Sequence, residues 1–278
     1  MMYFTTGNAA PDLNGAIRAG DNLFTVSLVA LDVNTGQYRW HFQLVRHDIW
    51  DFDAANPTIL FDADFDGMRR KGITAVSKAG YLYILDRTSG VPLTPVVETP
   101  GPQDAIQKTA ATQPIAQGDQ VVRHEVDAVG ENFEGILRNR ARTFTPFSTG
   151  NPAIWRPFSG VTWHPSSYNP TNNRMYLCAG DGPGRGTVGG DGAATIGPEP
   201  GAETRRYVQG TFGNARDIGT DSRSTLVAMN VTSHMVAWRR LLFNRCAGTI
   251  NTAGGLVFAG RFNGLPIESR GAVEILTT

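Results

Sequence analysis

Ala30-Leu31-Asp32-Val33-Asn34-Thr35-Gly36-Gln37-Tyr38-Arg39-Trp40 reads as the end of one strand, a tight turn and the start of the next. The run before the turn, Leu23-Phe24-Thr25-Val26-Ser27-Leu28-Val29-Ala30-Leu31, is rich in β-formers. Thr35-Gly36 supplies turn chemistry, since glycine reaches left-handed backbone angles without steric cost. Gln37-Tyr38-Arg39-Trp40-His41-Phe42 then alternates polar and apolar side chains, as a half-buried strand does. Trp40 gives this strand pair an apolar anchor for a neighbouring sheet, which is how one blade of a β-propeller docks on the next.

The pattern recurs along the chain. Ala228-Met229-Asn230-Val231-Thr232-Ser233-His234-Met235-Val236-Ala237-Trp238 is a degenerate copy with its tryptophan at the same offset. Leu85-Asp86-Arg87-Thr88-Ser89-Gly90 is a half copy without one. Three unrelated hairpins remain the alternative. Ile73–Ser77 and Tyr81–Asp86 predict a hairpin around Lys78-Ala79-Gly80, and Arg174–Ala179 and Gly255–Gly260 are further strands. No amphipathic helix longer than about three turns is legible. The expected fold is all-β, a partial β-propeller of about four blades with long loops. Those loops are placed at 98–160 and 180–223, where Pro100-Gly101-Pro102, Gly182-Pro183-Gly184 and Gly197-Pro198-Glu199-Pro200-Gly201 break the strand rhythm.

The bulk numbers agree. A chain of 278 residues holds one large β domain, and 32 glycines with 16 prolines suit short strands joined by turns. Lys+Arg and Asp+Glu are both 25, so no basic face points to nucleic acid. No apolar run approaches the roughly 20 residues that span a membrane. Cys178 and Cys246 form no CxxC and read as small buried hydrophobes, a disulfide between them being the open alternative. The opening Met1-Met2-Tyr3-Phe4-Thr5-Thr6 has no signal-peptide character and resembles the middle of a strand, so the chain is expected to begin inside a larger protein. The tail, 264–278, loses the preceding pattern.

Chemistry concentrates just beyond the first repeat, in His47-Asp48-Ile49-Trp50-Asp51-Phe52-Asp53. Asp51 reads as a general base or metal ligand, or else as a strand-end carboxylate capping a turn. His47 reads as structural or a hydrogen-bond partner, Trp50 as core, and Asp48 and Asp53 as less specific acids. Asp62-Ala63-Asp64-Phe65-Asp66-Gly67 imitates a calcium-loop start, but its twelfth position is Ile73 where a glutamate is needed, so it reads as an acidic turn.

The segment 47–53 resembles the HDxWDxD segment of pyrroloquinoline-quinone (PQQ)-dependent alcohol dehydrogenases, the methanol/ethanol quinoproteins. Thr6-Gly7-Asn8-Ala9-Ala10-Pro11 is similar to their TGNxxP, and Arg18-Ala19-Gly20-Asp21-Asn22-Leu23-Phe24-Thr25 to RPGDNLYT. Ser77-Lys78-Ala79-Gly80-Tyr81-Leu82-Tyr83-Ile84-Leu85-Asp86-Arg87 is similar to SKNGYxYVLDR. Gly160-Val161-Thr162-Trp163-His164-Pro165 and Thr252–Phe258 match in order, so the resemblance covers residues 3 to about 263. It implies an eight-bladed propeller with PQQ near its axis beside Ca2+, here without its N-terminal half. It implies Asp51 as catalytic base and metal neighbour, Asn8 as a calcium ligand, Lys78 on the quinone oxygens, and Thr162 and Trp163 lining the cofactor. Thr162 stands where the family often has asparagine. The family's metal-ligand glutamate, its quinone-stacking tryptophan and its vicinal cysteines lie upstream of TGN and have no match here.

The implied activity is oxidation of a small primary alcohol in the periplasm, with cytochrome c or another electron acceptor as partner. The fragment alone is expected to be inactive and to bind quinone poorly. Two other readings stand beside it: a non-catalytic propeller scaffold for protein assembly, and a PQQ sugar dehydrogenase.

Overall fold

A computed structural model describes residues 1–10, 15–132, 135–146, 155–158, 160–188, 210–214, 223–242, 245–262 and 272–278. Every regular element among them is a β-strand. The first sheet is β1 (Met2–Thr5), β2 (Ser27–Leu31) and β3 (Tyr38–Gln43), and the second is β4 (Leu60–Phe65), β5 (Met68–Val76) and β6 (Leu82–Asp86), both antiparallel in chain order. Two hairpins follow, β7 (Val96–Pro100) with β8 (Thr112–Ala116) and β9 (Glu125–Asn132) with β10 (Gly135–Arg142). The largest sheet joins β11 (Trp155–Phe158), β12 (Ser167–Asn169), β13 (Arg174–Val188), β14 (Gly210–Asn214), β15 (Arg223–Asn230) and β16 (Val236–Leu242) around β13. The last is β17 (Arg245–Asn251), β18 (Leu256–Phe262) and β19 (Ala272–Thr277).

The three sequence repeats are one turn built three times. Asp32 Oδ1 accepts the N–H of Asn34 and Thr35, Asp86 Oδ1 that of Thr88, and Asn230 Oδ1 those of Thr232 and Ser233. The N–H groups of Gly36, Gly90 and His234 close each turn onto the carbonyls of Asp32, Asp86 and Asn230. All three turn-closing residues have positive φ, which is cheap at glycine and strained at His234. Trp40 packs on the next sheet's turn, where a Cβ on Gly90 would come within 2.5 Å of its ring. That contact is the blade-to-blade docking expected of the repeat.

Period-2 alternation stacks the sheets face to face. Along β6, Tyr83 and Leu85 enter the core shared with the first sheet, while Leu82 and Ile84 enter the core shared with β13 and β15. Along β13, Met175, Leu177 and Ala179 face that second core, while Tyr176 and Cys178 turn to the last sheet. Four successive blade-like sheets among the described residues thus bury each inner face against a neighbour.

Three expectations need correction. The stretch 98–160 is not all loop, since it carries strands of β7 to β11, and Pro100 and Pro114 sit in a two-stranded ladder whose open edges tolerate a missing N–H. Gly182-Pro183-Gly184 likewise runs inside β13, paired with β11 and β14, while Gly189–Gly192 and Gly197–Gly201 lie outside the described residues. Cys178 and Cys246 are buried, but as a disulfide with Cα atoms 5.4 Å apart, joining β13 to β17. Their 68-residue separation hid a contact made only when the two sheets stack. The tail that loses the sequence pattern ends in β19, paired along β18. The acidic turn is the β4–β5 hairpin, with Asp66 at φ 50° and Gly67 at φ 76°.

Candidate active site

The loop after β3 sorts its acids by depth. Asp48 is fully buried, and its carboxylate accepts the N–H groups of Trp50 and Phe52, each at 2.8 Å. Those bonds form a local turn that stacks Trp50 on Phe52 at 5.7 Å between ring centroids, both against Phe144. The His47 ring is buried between the carbonyls of Gly20 at 2.7 Å and Gln107 at 2.6 Å. His47, Asp48 and Trp50 are therefore scaffold. With Phe52 pointing inward, Asp51 and Asp53 emerge together on the other side. Asp51 does so at φ 62°, a left-handed conformation that aspartate tolerates better than most residues.

Lys78 comes from the apex of the β5–β6 hairpin. The Val76↔Leu82 register leaves Ser77–Tyr81 as its tip, with Gly80 at φ 81° making the turn. Lys78 Nζ lies 2.8 Å from Asp51 Oδ2 and 2.6 Å from Asp53 Oδ2. Its backbone N–H also donates to the Asp53 carbonyl at 3.1 Å, so hairpin and loop are joined through main chain as well. Burial disfavours the ammonium, yet its bonds to Asp51 and Asp53 outweigh this and hold the Lys78 pKa above its ordinary value. Burial likewise opposes the Asp53 carboxylate, but Lys78 and the Asn8 N–H prevail and hold its pKa below the ordinary carboxylate range.

Asn8 meets this cluster through its backbone N–H, which donates to Asp53 Oδ1 at 2.8 Å, while its side-chain amide donates to the Ala9 carbonyl at 3.2 Å. The segment 160–164 lies alongside. Val161 N–H donates to the Ser77 carbonyl, and a Cβ on Gly160 would run into the Lys78 carbonyl. The buried Asn56 amide holds this segment by donating to the carbonyls of Thr162 at 2.9 Å and His164 at 2.7 Å. Thr162 Oγ1 shares a hydrogen bond with His164 Nδ1, and Trp163 stacks on His164 at 4.0 Å while staying 63% exposed. The structure thus joins Asp51 to Lys78 directly and brings Asn8 in by its backbone. It sets Thr162 and Trp163 on the adjoining segment.

Sequence reasoning passed over Asp53 and Asn56. Asp53 carried a usable signal, since acids flanking a buried phenylalanine at a spacing of two share one side of an extended chain. Asn56 carried none, because its partners are main-chain carbonyls far along the sequence. His124 was also missed. Its ring lies 3.7 Å from that of Tyr81, beneath Gly80, and burial pushes its pKa down to about 4.

The Asp51 and Asp53 carboxylates are hard oxygen donors of the kind calcium takes, and their charge exceeds that of Lys78 by one. No group of three or more His, Cys, Asp or Glu able to hold a metal occurs among the described residues. No helix of the described residues is long and apolar enough to cross a membrane.

The family described as "PQQ: Glucose/ethanol/alcohol dehydrogenase, beta-propeller domain" matches residues 1–242. The quinohemoprotein alcohol dehydrogenase of Comamonas testosteroni is 29% identical over 282 residues, covering 95% of this chain and 34% of that protein. Its crystal structure superposes with a TM-score of 0.63 over 93% of this chain and 36% of that one, at 28% identity. The glycerol dehydrogenase large subunit of Gluconobacter oxydans is 34% identical over 189 residues, 61% of this chain and 25% of that protein. The chain therefore spans about a third or less of the length of these relatives.

Proposed function

The chain belongs to the PQQ glucose/ethanol/alcohol dehydrogenase β-propeller family, and we propose that it carries the base-and-lysine half of a site that oxidises a primary alcohol. The observation that carries this reading is the Lys78 ammonium held at 2.8 and 2.6 Å by Asp51 and Asp53, with Gly160 and Val161 packed on the hairpin apex that carries it. PQQ, when bound, supplies a two-electron acceptor for the substrate's hydride, and calcium supplies a Lewis acid beside it.

The chain's own residues do the rest. Asp51 takes the proton of the alcohol hydroxyl as the C–H bond gives up its hydride. Lys78 offers positive charge where negative charge develops on the acceptor's oxygens. Asn8 and Asp51 offer oxygen ligands to the metal. The exposed indole of Trp163 gives a flat cofactor an apolar wall, and Thr162 adds a hydroxyl beside it. The Cys178–Cys246 disulfide favours an oxidising compartment, in keeping with a periplasmic enzyme that passes electrons to cytochrome c or another acceptor. Residues 1–278 alone are expected to bind quinone weakly, since they hold only part of a calcium shell.

A sugar dehydrogenase is the second reading, because the matching family description includes glucose. The test reconstitutes the full-length gene product with PQQ and Ca2+ and follows dye reduction with ethanol and with glucose. Calcium-dependent oxidation of ethanol is expected. Turnover of glucose alone would favour the sugar enzyme, and no turnover of either would count against a catalytic role.

A further inference from the structure

Two carboxylates share a single ammonium at this site, and that arrangement decides how a metal ion can enter. Lys78 Nζ contacts Asp51 Oδ2 at 2.8 Å and Asp53 Oδ2 at 2.6 Å, while the other oxygen of Asp53 accepts the Asn8 N–H. Calcium sits at about 2.3–2.6 Å from its carboxylate oxygens, almost the distance at which the ammonium already rests. The side chains of Lys78, Asp51 and Asp53 are only 19%, 21% and 21% exposed, so water screens two neighbouring cations poorly. The ammonium and a divalent ion therefore compete for the same oxygens.

Lys78 can yield without unfolding anything. Its backbone is fixed at the hairpin apex by the Asp53 carbonyl and by Gly160 packed against its own carbonyl. Only its flexible four-carbon stem need swing. On the reading of this cluster as a quinone-and-metal site, we infer that Lys78 is a built-in surrogate cation. It neutralises Asp51 and Asp53 until a divalent ion displaces it, so that metal entry and release of the ammonium towards the quinone's oxygens are one event. The apo loop is thereby kept from the repulsion of two adjacent carboxylates, and the lysine becomes available to the quinone once the metal is in place.

The test titrates calcium chloride, without quinone, into the full chain by calorimetry. Wild type is compared with Lys78→Met and Lys78→Arg, and circular dichroism checks each fold. Lys78→Met is expected to bind calcium roughly tenfold or more tightly than wild type, because a like charge beside the ion is gone. Lys78→Arg, which keeps the charge, is expected to gain nothing. Equal or weaker binding by Lys78→Met, equal gains by both variants, or no binding in the millimolar range of the weakest protein calcium sites would overturn the inference. Should Lys78→Met fail to fold, Lys78→Gln replaces it, and the Lys78 Nζ resonance of wild type is followed by NMR as calcium is added. A shift of that resonance is expected, and an unmoved one contradicts displacement. Adding PQQ last separates the two readings. Tighter calcium binding in Lys78→Met with no quinone binding by the full-length gene product would sink the quinone reading and leave the surrogate cation standing.

Discussion

Asp53 is the residue through which the site is assembled, since it receives the Lys78 ammonium, the Asn8 N–H and, at its carbonyl, the Lys78 N–H. Its depressed pKa means that its stabilising effect is present above the ordinary carboxylate value of about 3.9 and is lost as pH falls through the folded value. The raised Lys78 pKa means that its contribution is lost only as pH rises through that raised value. Asp53→Asn is thus expected to lower the denaturation midpoint at neutral pH and to converge on wild type in strong acid. A gap independent of pH would mean that the carboxylate charge is not what matters. His124 gives a second, separate signature. Its pKa of about 4 lies below the unfolded value of about 6.5, so stability should fall by about 3 kcal/mol as pH drops from 6.5 towards 4. His124→Phe should flatten that slope in urea titrations run across this pH range, and an unchanged slope would assign it to other groups. At this scale the sequence was half legible. Asp51 and Lys78 stood out through motif order, whereas Asp53 and Asn56 matter through partners that lie far off along the chain.

The working elements are the loop after β3 and the apex of the β5–β6 hairpin, with the segment 160–164 wedged against that apex. Gly160 is there because nothing larger fits, a Cβ being blocked by the Lys78 carbonyl and lying 2.9 Å from the Gly80 nitrogen. Gly160→Ala should cost about 1–3 kcal/mol through overpacking, measured from urea midpoints, and should displace Lys78 from its aspartates. A variant as stable as wild type would show that the wedge is loose. The β5–β6 hairpin was plain in the sequence, because Ile73–Ser77 and Tyr81–Asp86 carry unbroken β-formers around a Lys-Ala-Gly tip. β7, β8 and the far half of β13 were not, because proline and glycine signal loops unless the open edge that tolerates them is known.

For the whole molecule, stacking of successive sheets is what the repeated turn encodes, and the Cys178–Cys246 disulfide fastens the last sheet to the largest one. The bond closes a long loop, so the double variant Cys178→Ala/Cys246→Ala should lose about 2–4 kcal/mol in thermal unfolding, and reductant should reproduce the loss in wild type. Unchanged melting would mean that apolar packing around Leu226, Leu242 and Ala259 suffices. These sheets bring Asp51 and Lys78 to one place, and the central proposal is that Asp51 takes the alcohol's proton there. The decisive measurement is dye-linked ethanol oxidation by the full-length gene product bearing Asp51→Asn, loaded with PQQ and Ca2+ and checked for quinone content. The account predicts a fall in kcat of about 10²–10⁴-fold with quinone still bound, and a variant that turns over at the wild-type rate would contradict it.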